Sequence, residues 1–291
     1  MRQAQIIQAK LKERCPQQPF ALQTITARAD QHPERPLADL GGEGVFVKEL
    51  ERALRERRID VAVHSMKDLP LDLPDGLRIA AVLEREEPRD AFISRSGEPW
   101  ERLPSGARIG TSSPRRRSQL LRLRADWQLR DIRGNVDTRL RKLDEGRYDA
   151  IVVAACGLMR LGLEERITQY LDFASMLPEP GQGALAVEAR ADDALVGEMA
   201  QGLDDPTSRA CVEAERAFLR ALGGGCRVPI AAYAQATDGQ LTLEGAVMAP
   251  DGSRQLRDQV SGSVDAPAAL GESLAKRLIA QGARELLNKS Y

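Results

Sequence analysis

The sequence predicts two α/β lobes with mostly parallel, helix-covered sheets, followed by a C-terminal α+β domain. Three observations carry that reading. Short apolar strands alternate with helical segments through most of the chain, the order that builds parallel sheets under helices. After Pro206 the alternation stops, and one helix, three strands parted by Asp-Gly turns and a closing helix follow. The 291 residues, 42% of them apolar, supply enough for two or three packed cores.

Taken in order, Ala4, Ile7 and Leu11 mark one face of an opening helix, and 20–25 alternates like a strand. The polar, proline-containing stretch 27–44 reads as a long loop, which in a compact domain is usually functional or mobile. Residues 46–57 read as a helix and 59–63 as a buried strand, with further strands at 77–83 and 90–94. A second set follows: strand 108–110, helix 113–125, strand 128–132, helix 136–144, and strands 150–154 and 184–188. Beyond Pro206 come helix 208–222, three strands turning at Asp238-Gly239 and Asp251-Gly252, and a last helix over 267–287. Pro267 at its first turn, just after Asp265, is an ordinary helix start.

Composition excludes several classes. Lys+Arg 42 against Asp+Glu 43 leave a net charge of -1, and aromatics are 4%, so neither a broad basic face nor stacking platforms point to nucleic acid. No apolar run approaches the roughly 20 residues of a membrane span, and no secretory leader pattern opens the chain. The expectation is a soluble, intracellular protein, placed in the cytoplasm, with no membrane partner. Cys15, Cys156, Cys211 and Cys226 are scattered without a CxxC pair, and His32 and His64 are the two histidines. That pattern argues against a metal site and against a disulfide framework.

Arginine is the exception to the even charge balance. Arg115, Arg116, Arg117, Arg122, Arg124, Arg130, Arg133, Arg139 and Arg141 fall close together, and guanidinium forks suit carboxylates and phosphates. Open α/β sheets bind ligands beyond the carboxyl ends of their strands. There stands His64-Ser65-Met66-Lys67-Asp68-Leu69-Pro70, in which Asp68 either works as an acid/base or, with Lys67, caps a turn. Gly110-Thr111-Ser112-Ser113-Pro114 leads into Arg115, Arg116 and Arg117 at a helix start, either an anion site or a capped helix with solvated arginines. Three cations in a first turn oppose the helix dipole, which points to an anionic ligand. Arg133-Gly134-Asn135-Val136-Asp137-Thr138-Arg139 repeats the arrangement. Glu179-Pro180-Gly181-Gln182-Gly183-Ala184 reads as a return crossing or a hinge. Finally, Gly223-Gly224-Gly225-Cys226-Arg227-Val228-Pro229 presents a lone cysteine on a tight turn before a strand, inert by default or an attachment point.

In their order and spacing these segments, together with Gly44-Val45-Phe46-Val47-Lys48-Glu49-Leu50, resemble the hydroxymethylbilane synthase (porphobilinogen deaminase) family over nearly the whole chain. The resemblance implies two periplasmic-binding-protein-like lobes, 1–84 with 184–203 and 88–180, and a C-terminal domain over 206–291. It implies a transferase of haem and porphyrin biosynthesis that joins four porphobilinogen molecules head to tail with loss of ammonia. A dipyrromethane cofactor is implied on Cys226 through a thioether, with Asp68 as the catalytic carboxylate that assists ammonia loss and steadies the resulting cation. Ser65, Lys67, Thr111, Ser113, Arg115, Arg116, Arg133, Asn135 and Gln182 match cofactor-contacting positions, and Arg139 and Arg160 match substrate-binding ones. No metal is implied.

Three departures stand out. The family's opening Thr-Arg-x-Ser-x-Leu-Ala strand and turn has no counterpart, since Met1-Arg2-Gln3-Ala4 aligns with the helix after it. A start placed too far downstream is the leading expectation, with a truncated, inactive family member as the alternative. Glu43 and Asp39 replace lysines usual in the loop, and Pro114 replaces an aliphatic residue. Of the rival classes, an anion- or solute-binding protein leaves the C-terminal domain unexplained, and a nucleic-acid binder conflicts with the charge balance.

Overall fold

The structure is a computed structural model and describes residues 1–25, 45–224 and 228–288. The expected loop at 27–44, with Asp39 and Glu43, and Cys226 itself lie outside the described residues. In chain order the elements are α1 (Arg2–Arg14), α2 (Val45–Arg55), β1 (Val61–Ser65), β2 (Leu77–Val82), β3 (Asp90–Ser94), β4 (Arg108–Gly110), α3 (Pro114–Leu123) and β5 (Gln128–Arg130). Next are α4 (Val136–Asp144), β6 (Ala150–Ala154), α5 (Ala155–Met159), β7 (Gln169–Tyr170), β8 (Leu185–Arg190) and α6 (Ala194–Gln201). The chain closes with α7 (Pro206–Ala221), β9 (Ile230–Thr237), β10 (Gln240–Met248), β11 (Gln255–Ser263), α8 (Pro267–Ala280) and α9 (Ala283–Asn288). Two compact units result, 1–85 with 184–209 and 86–183 with 210–291.

In the first unit the described strands run in the order β1-β8-β2, each neighbour antiparallel to β8. β8 is buried along its whole length, as a central strand covered on both faces should be. α1 contributes Ile7 and Leu11 to a cluster with Ala81, Val187 and Ala189. α2 buries Leu54 with Ala62 and Leu77.

In the second unit the described strands of one sheet run β5-β4-β6-β3-β7. β4 is parallel to β5 and β6, while β3 is antiparallel to β6 and β7. Phe92, Ile109, Leu120 and Trp127 pack on one side, and Ile93, Ile132, Leu140 and Ile151 form another cluster. The other sheet is the antiparallel meander β11-β10-β9, packed on Phe218, Leu274 and Leu278 of α7 and α8. Thr237 pairs with Gln240, and the two residues between them, Asp238 (φ 50) and Gly239 (φ 76), make the left-handed pair of a type I′ hairpin. Asp-Gly is the residue pair that such a turn favours.

The expectation of mostly parallel sheets changes to mixed sheets. β8 and β3 are the strands by which the chain re-enters one unit and enters the other, and each runs against the strands it joins. No strand forms at 20–25: these residues are largely exposed, pair with no described strand, and Phe20 O accepts instead from Gln8 Nε2 at 2.8 Å. The last helix divides into α8 and α9 around Gln281-Gly282. Short α5, α6 and β7 had no sequence expectation, being too brief or too weakly patterned to signal themselves.

α8 approaches α7 closely at Gly271. A Cβ there would collide with the Ala214 carbonyl and lie 2.7 Å from Phe218 N, with backbone on both counts and hence little room to yield. Gly271→Ala should therefore destabilise by about 1–3 kcal/mol in urea titration. A change under about 0.5 kcal/mol contradicts this packing.

Candidate functional site

In the first unit β1 ends at Ser65 and turns through one 3-10 turn, Met66–Asp68. The turn is fixed at its centre, because Met66 is fully buried and its N–H donates to Ala184 O at 3.0 Å. Leu69 N–H closes the turn on Met66 O at 3.2 Å. Ser65 Oγ accepts from Gln3 Nε2 of α1 at 2.9 Å. Lys67 is left half-buried and Asp68 exposed, so the buried methionine presents its polar neighbours. The turn reading and the acid/base reading of Asp68 are compatible, since backbone bonds make the turn.

In the second unit the two strand-to-helix junctions form as the sequence predicts. Ser113 Oγ accepts from Arg116 N at 3.4 Å and caps α3, with Pro114 at its first turn. Thr111 is buried, and its Oγ1 accepts from Ser113 N at 3.3 Å. Asn135 Oδ1 accepts from Thr138 N at 2.9 Å and caps α4. Ser112 Oγ joins the junctions by accepting from Ile132 N and donating to Ile132 O, both at 3.0 Å.

The arginines divide into two kinds. Arg115 and Arg116 are buried on one carboxylate, Asp90, which is fully buried at the start of β3. Arg115 Nη1 donates to Asp90 Oδ2 at 2.7 Å and to Leu177 O at 2.7 Å. Arg116 reaches Asp90 Oδ1 through Nη2 at 2.8 Å and Nε at 3.1 Å. Gln182 Nε2 donates to the same Oδ1 at 3.0 Å and to Pro88 O at 2.7 Å, while its Oε1 accepts from Arg116 Nη2 at 3.4 Å. Burial alone would push the Asp90 carboxyl up, but Arg115 and Arg116 outweigh it and hold Asp90 well below the usual carboxylate range. Arg116 is raised in turn, Asp90 outweighing its desolvation.

Arg139, half-buried on α4, lies close enough to Arg116 to be affected: burial first, and then Arg116, push its guanidinium down. Its Nε donates to Gly134 O at 2.8 Å. Arg133 and Asn135 are exposed at the same junction, where Lys142 Nζ donates to Arg133 O at 2.9 Å. Arg160 is buried and donates from Nε to Glu86 Oε2 at 2.6 Å and from Nη2 to Gly183 O at 3.0 Å.

Two guanidiniums share one carboxylate, a third sits near them, and Arg115 keeps Nε and Nη2 buried with no hydrogen-bond partner among the described residues. Such a donor set fits a group rich in carboxylates, as a dipyrromethane with acid side chains is. Leading toward Cys226, α7 ends in a left-handed Gly223 (φ 69), with Gly223 N bonded to Arg220 O and Gly224 N to Leu219 O. Gly224 has no room for a side chain, since a Cβ would lie 2.5 Å from Ile230 Cδ1. Sequence reasoning missed Asp90, Glu86 and Lys142. The available signal for Asp90 was an acid opening a strand that is otherwise apolar.

Asp90→Asn leaves two buried guanidiniums without their anion, and it should cost about 3–5 kcal/mol in urea unfolding at neutral pH. Because the folded carboxyl is depressed, its contribution is present above the ordinary aspartate value and fades only as pH falls below it. A loss under about 1 kcal/mol contradicts the pairing.

Two family profiles cover most of the chain. One, described as "Porphobilinogen deaminase, dipyromethane cofactor binding domain", matches residues 1–198, and "Porphobilinogen deaminase, C-terminal domain" matches residues 209–280. Relatives named porphobilinogen deaminase include that of Desulforudis audaxviator, 54% identical over 277 residues, covering 95% of this chain and 90% of the relative. That of Chromobacterium violaceum is 49% identical over 287 residues, covering 99% and 93%. The Thermus thermophilus relative is 48% identical over 286 residues, covering 98% and 93%. At this identity and coverage, the chain belongs to the porphobilinogen deaminase family.

Proposed function

We propose that this chain carries out its family's reaction, condensing four porphobilinogen molecules head to tail with release of ammonia to give hydroxymethylbilane. The observation that carries the proposal is the arginine cluster, in which Arg115 and Arg116 share the one carboxylate of Asp90 and Arg139 lies near enough to Arg116 to be affected by it. Each porphobilinogen bears an acetate and a propionate, so a growing oligopyrrole is a polyanion that such a cluster complements. In this reading Thr111, Ser113, Arg115, Arg116, Arg133, Asn135 and Gln182 hold cofactor carboxylates, and Arg139 and Arg160 hold those of the substrate. In the first unit Ser65 and Lys67 hold the pyrrole chain.

A dipyrromethane, when bound to Cys226, supplies the nucleophilic pyrrole carbon from which the chain grows. Asp68 gives a proton to the departing amine, steadies the cation that remains on the incoming unit, and takes up the proton released after the carbon–carbon bond forms. One exposed carboxylate on a fixed turn can do all three, and general acid/base work of this kind contributes about 10²–10⁴-fold. The same proposal divides the chain into lobes at 1–84 with 184–203 and at 88–180, and a Cys226-bearing domain at 206–291. It has the protein act as a cytoplasmic monomer on a small molecule, without nucleic acid or membrane. Among the described residues no helix is long and apolar enough to cross a membrane.

Intact mass tests the attachment. Protein from cells able to make porphobilinogen should weigh two pyrrole units more than its sequence, and Cys226→Ala should abolish the excess; an unmodified Cys226 there refutes the proposal. Asp68→Ala should keep the excess mass while lowering kcat by at least about 10²-fold. Near-normal turnover removes Asp68 from the catalytic role.

A further inference from the structure

The first unit buries three titratable side chains, on β1 and on two elements packed against it, that the reaction scheme leaves unused. Glu51 of α2 is 4% exposed, His64 of β1 5% and Glu188 of β8 0%. His64 Nε2 and Glu188 Oε2 are 2.9 Å apart, and His64 directly precedes Ser65. Glu188 Oε1 is buried with no hydrogen-bond partner among the described residues. Burial, and after it the charge of Glu188, push the Glu51 carboxyl above the usual range, while His64, Arg55 and Lys48 pull the other way. α2 packs on β1, β2 and β8. Of the other cations on these strands, Arg190 binds the Leu54 and Ile59 carbonyls and pairs with Asp60 and Asp193 through Nη1 and Nη2, its Nε being buried with no hydrogen-bond partner among the described residues, and Arg78 is exposed near Gly197.

We propose that Glu51, His64 and Glu188 form a proton-holding cluster that fixes the Ser65–Asp68 segment, with Glu51 and Glu188 as positioning residues acting through His64. The proposal rests on the reading of Asp68 as the catalytic carboxylate. Burial, with the Glu188 charge added to it, favours the protonated form of Glu51, so Glu51 is the group that holds the proton. Glu188 Oε1 is the acceptor such a proton would serve. Losing it places a second negative charge in a dry site and loosens the packing of α2 and β8 around the end of β1. The sign follows from the direction of the Glu51 shift. The stabilisation is complete below the ordinary glutamate value and is lost as pH rises through the raised one.

The test compares full-length wild type, Glu51→Gln and Glu188→Gln by melting, amide exchange and kinetics. Glu51→Gln, a mimic of the protonated acid, should melt with wild type near pH ~4 and increasingly above it as pH approaches ~8. In Glu188→Gln the Met66 and Leu69 amides should exchange at least about tenfold faster at neutral pH, with second-unit amides unchanged. In the same variant kcat should fall more than KM rises. If Glu188→Gln does not fold, the same amides are compared at pH ~8 between wild type, which should exchange faster, and Glu51→Gln. Parallel melting of Glu51→Gln and wild type at every pH, or unchanged exchange at Met66 and Leu69, overturns the proposal. A wild type lacking both the pyrrole mass and turnover would count against the functional reading instead, because melting and exchange decide on the cluster without activity.

Discussion

Asp90 sits fully buried at the start of β3, and its two oxygens receive Arg115, Arg116 and Gln182. The partners come from two parts of the second unit: the first turn of α3 for both arginines, and the 178–183 segment for the glutamine. A buried carboxylate without these donors would be costly, and buried guanidiniums without the carboxylate equally so. The interaction therefore fixes where α3 begins relative to β3. It also resolves the conflict between a helix N-terminus and a run of arginines. One internal anion offsets part of their charge, while Arg115's buried Nε and Nη2 and the neighbouring Arg139 leave the region able to accept more negative charge.

The first unit works by a different device. There an apolar side chain, Met66, is driven into the core and its neighbours Lys67 and Asp68 are displayed by consequence. Burial of Met66 and the backbone bonds of Met66 and Leu69 fix the turn. In the proposed reading, proton chemistry at Asp68 answers to the cation formed in building an oligopyrrole, and the arginines of the second unit answer to its anionic side chains.

Much of this was legible in the sequence because it is local. Helix starts at Ser113 and Asn135, the Asp238-Gly239 hairpin and the strand before Ser65 all follow from residues within a few positions of one another. The order of the motifs carried the family, which no single motif did. What escaped depends on pairing across long separations. Asp90 meets Arg115 25 residues away, and His64 meets Glu188 124 residues away. Neither acid carries a local signature beyond being a charge inside an apolar strand. Strand direction escaped for the same reason, since β8 joins β1 and β2 only after the chain has traversed the second unit. At 20–25 a correct alternation misled, because alternation predicts a strand only where a partner edge receives it.

The central claim is that Asp68 and the arginine cluster serve a chain growing from Cys226. Intact mass spectrometry of the holo-protein after a few equivalents of porphobilinogen tests it most directly. The account predicts discrete added masses, each of one porphobilinogen less ammonia, carried by wild type and absent from Cys226→Ala. A single unchanged mass at every dose, in protein shown to carry the cofactor, would contradict it.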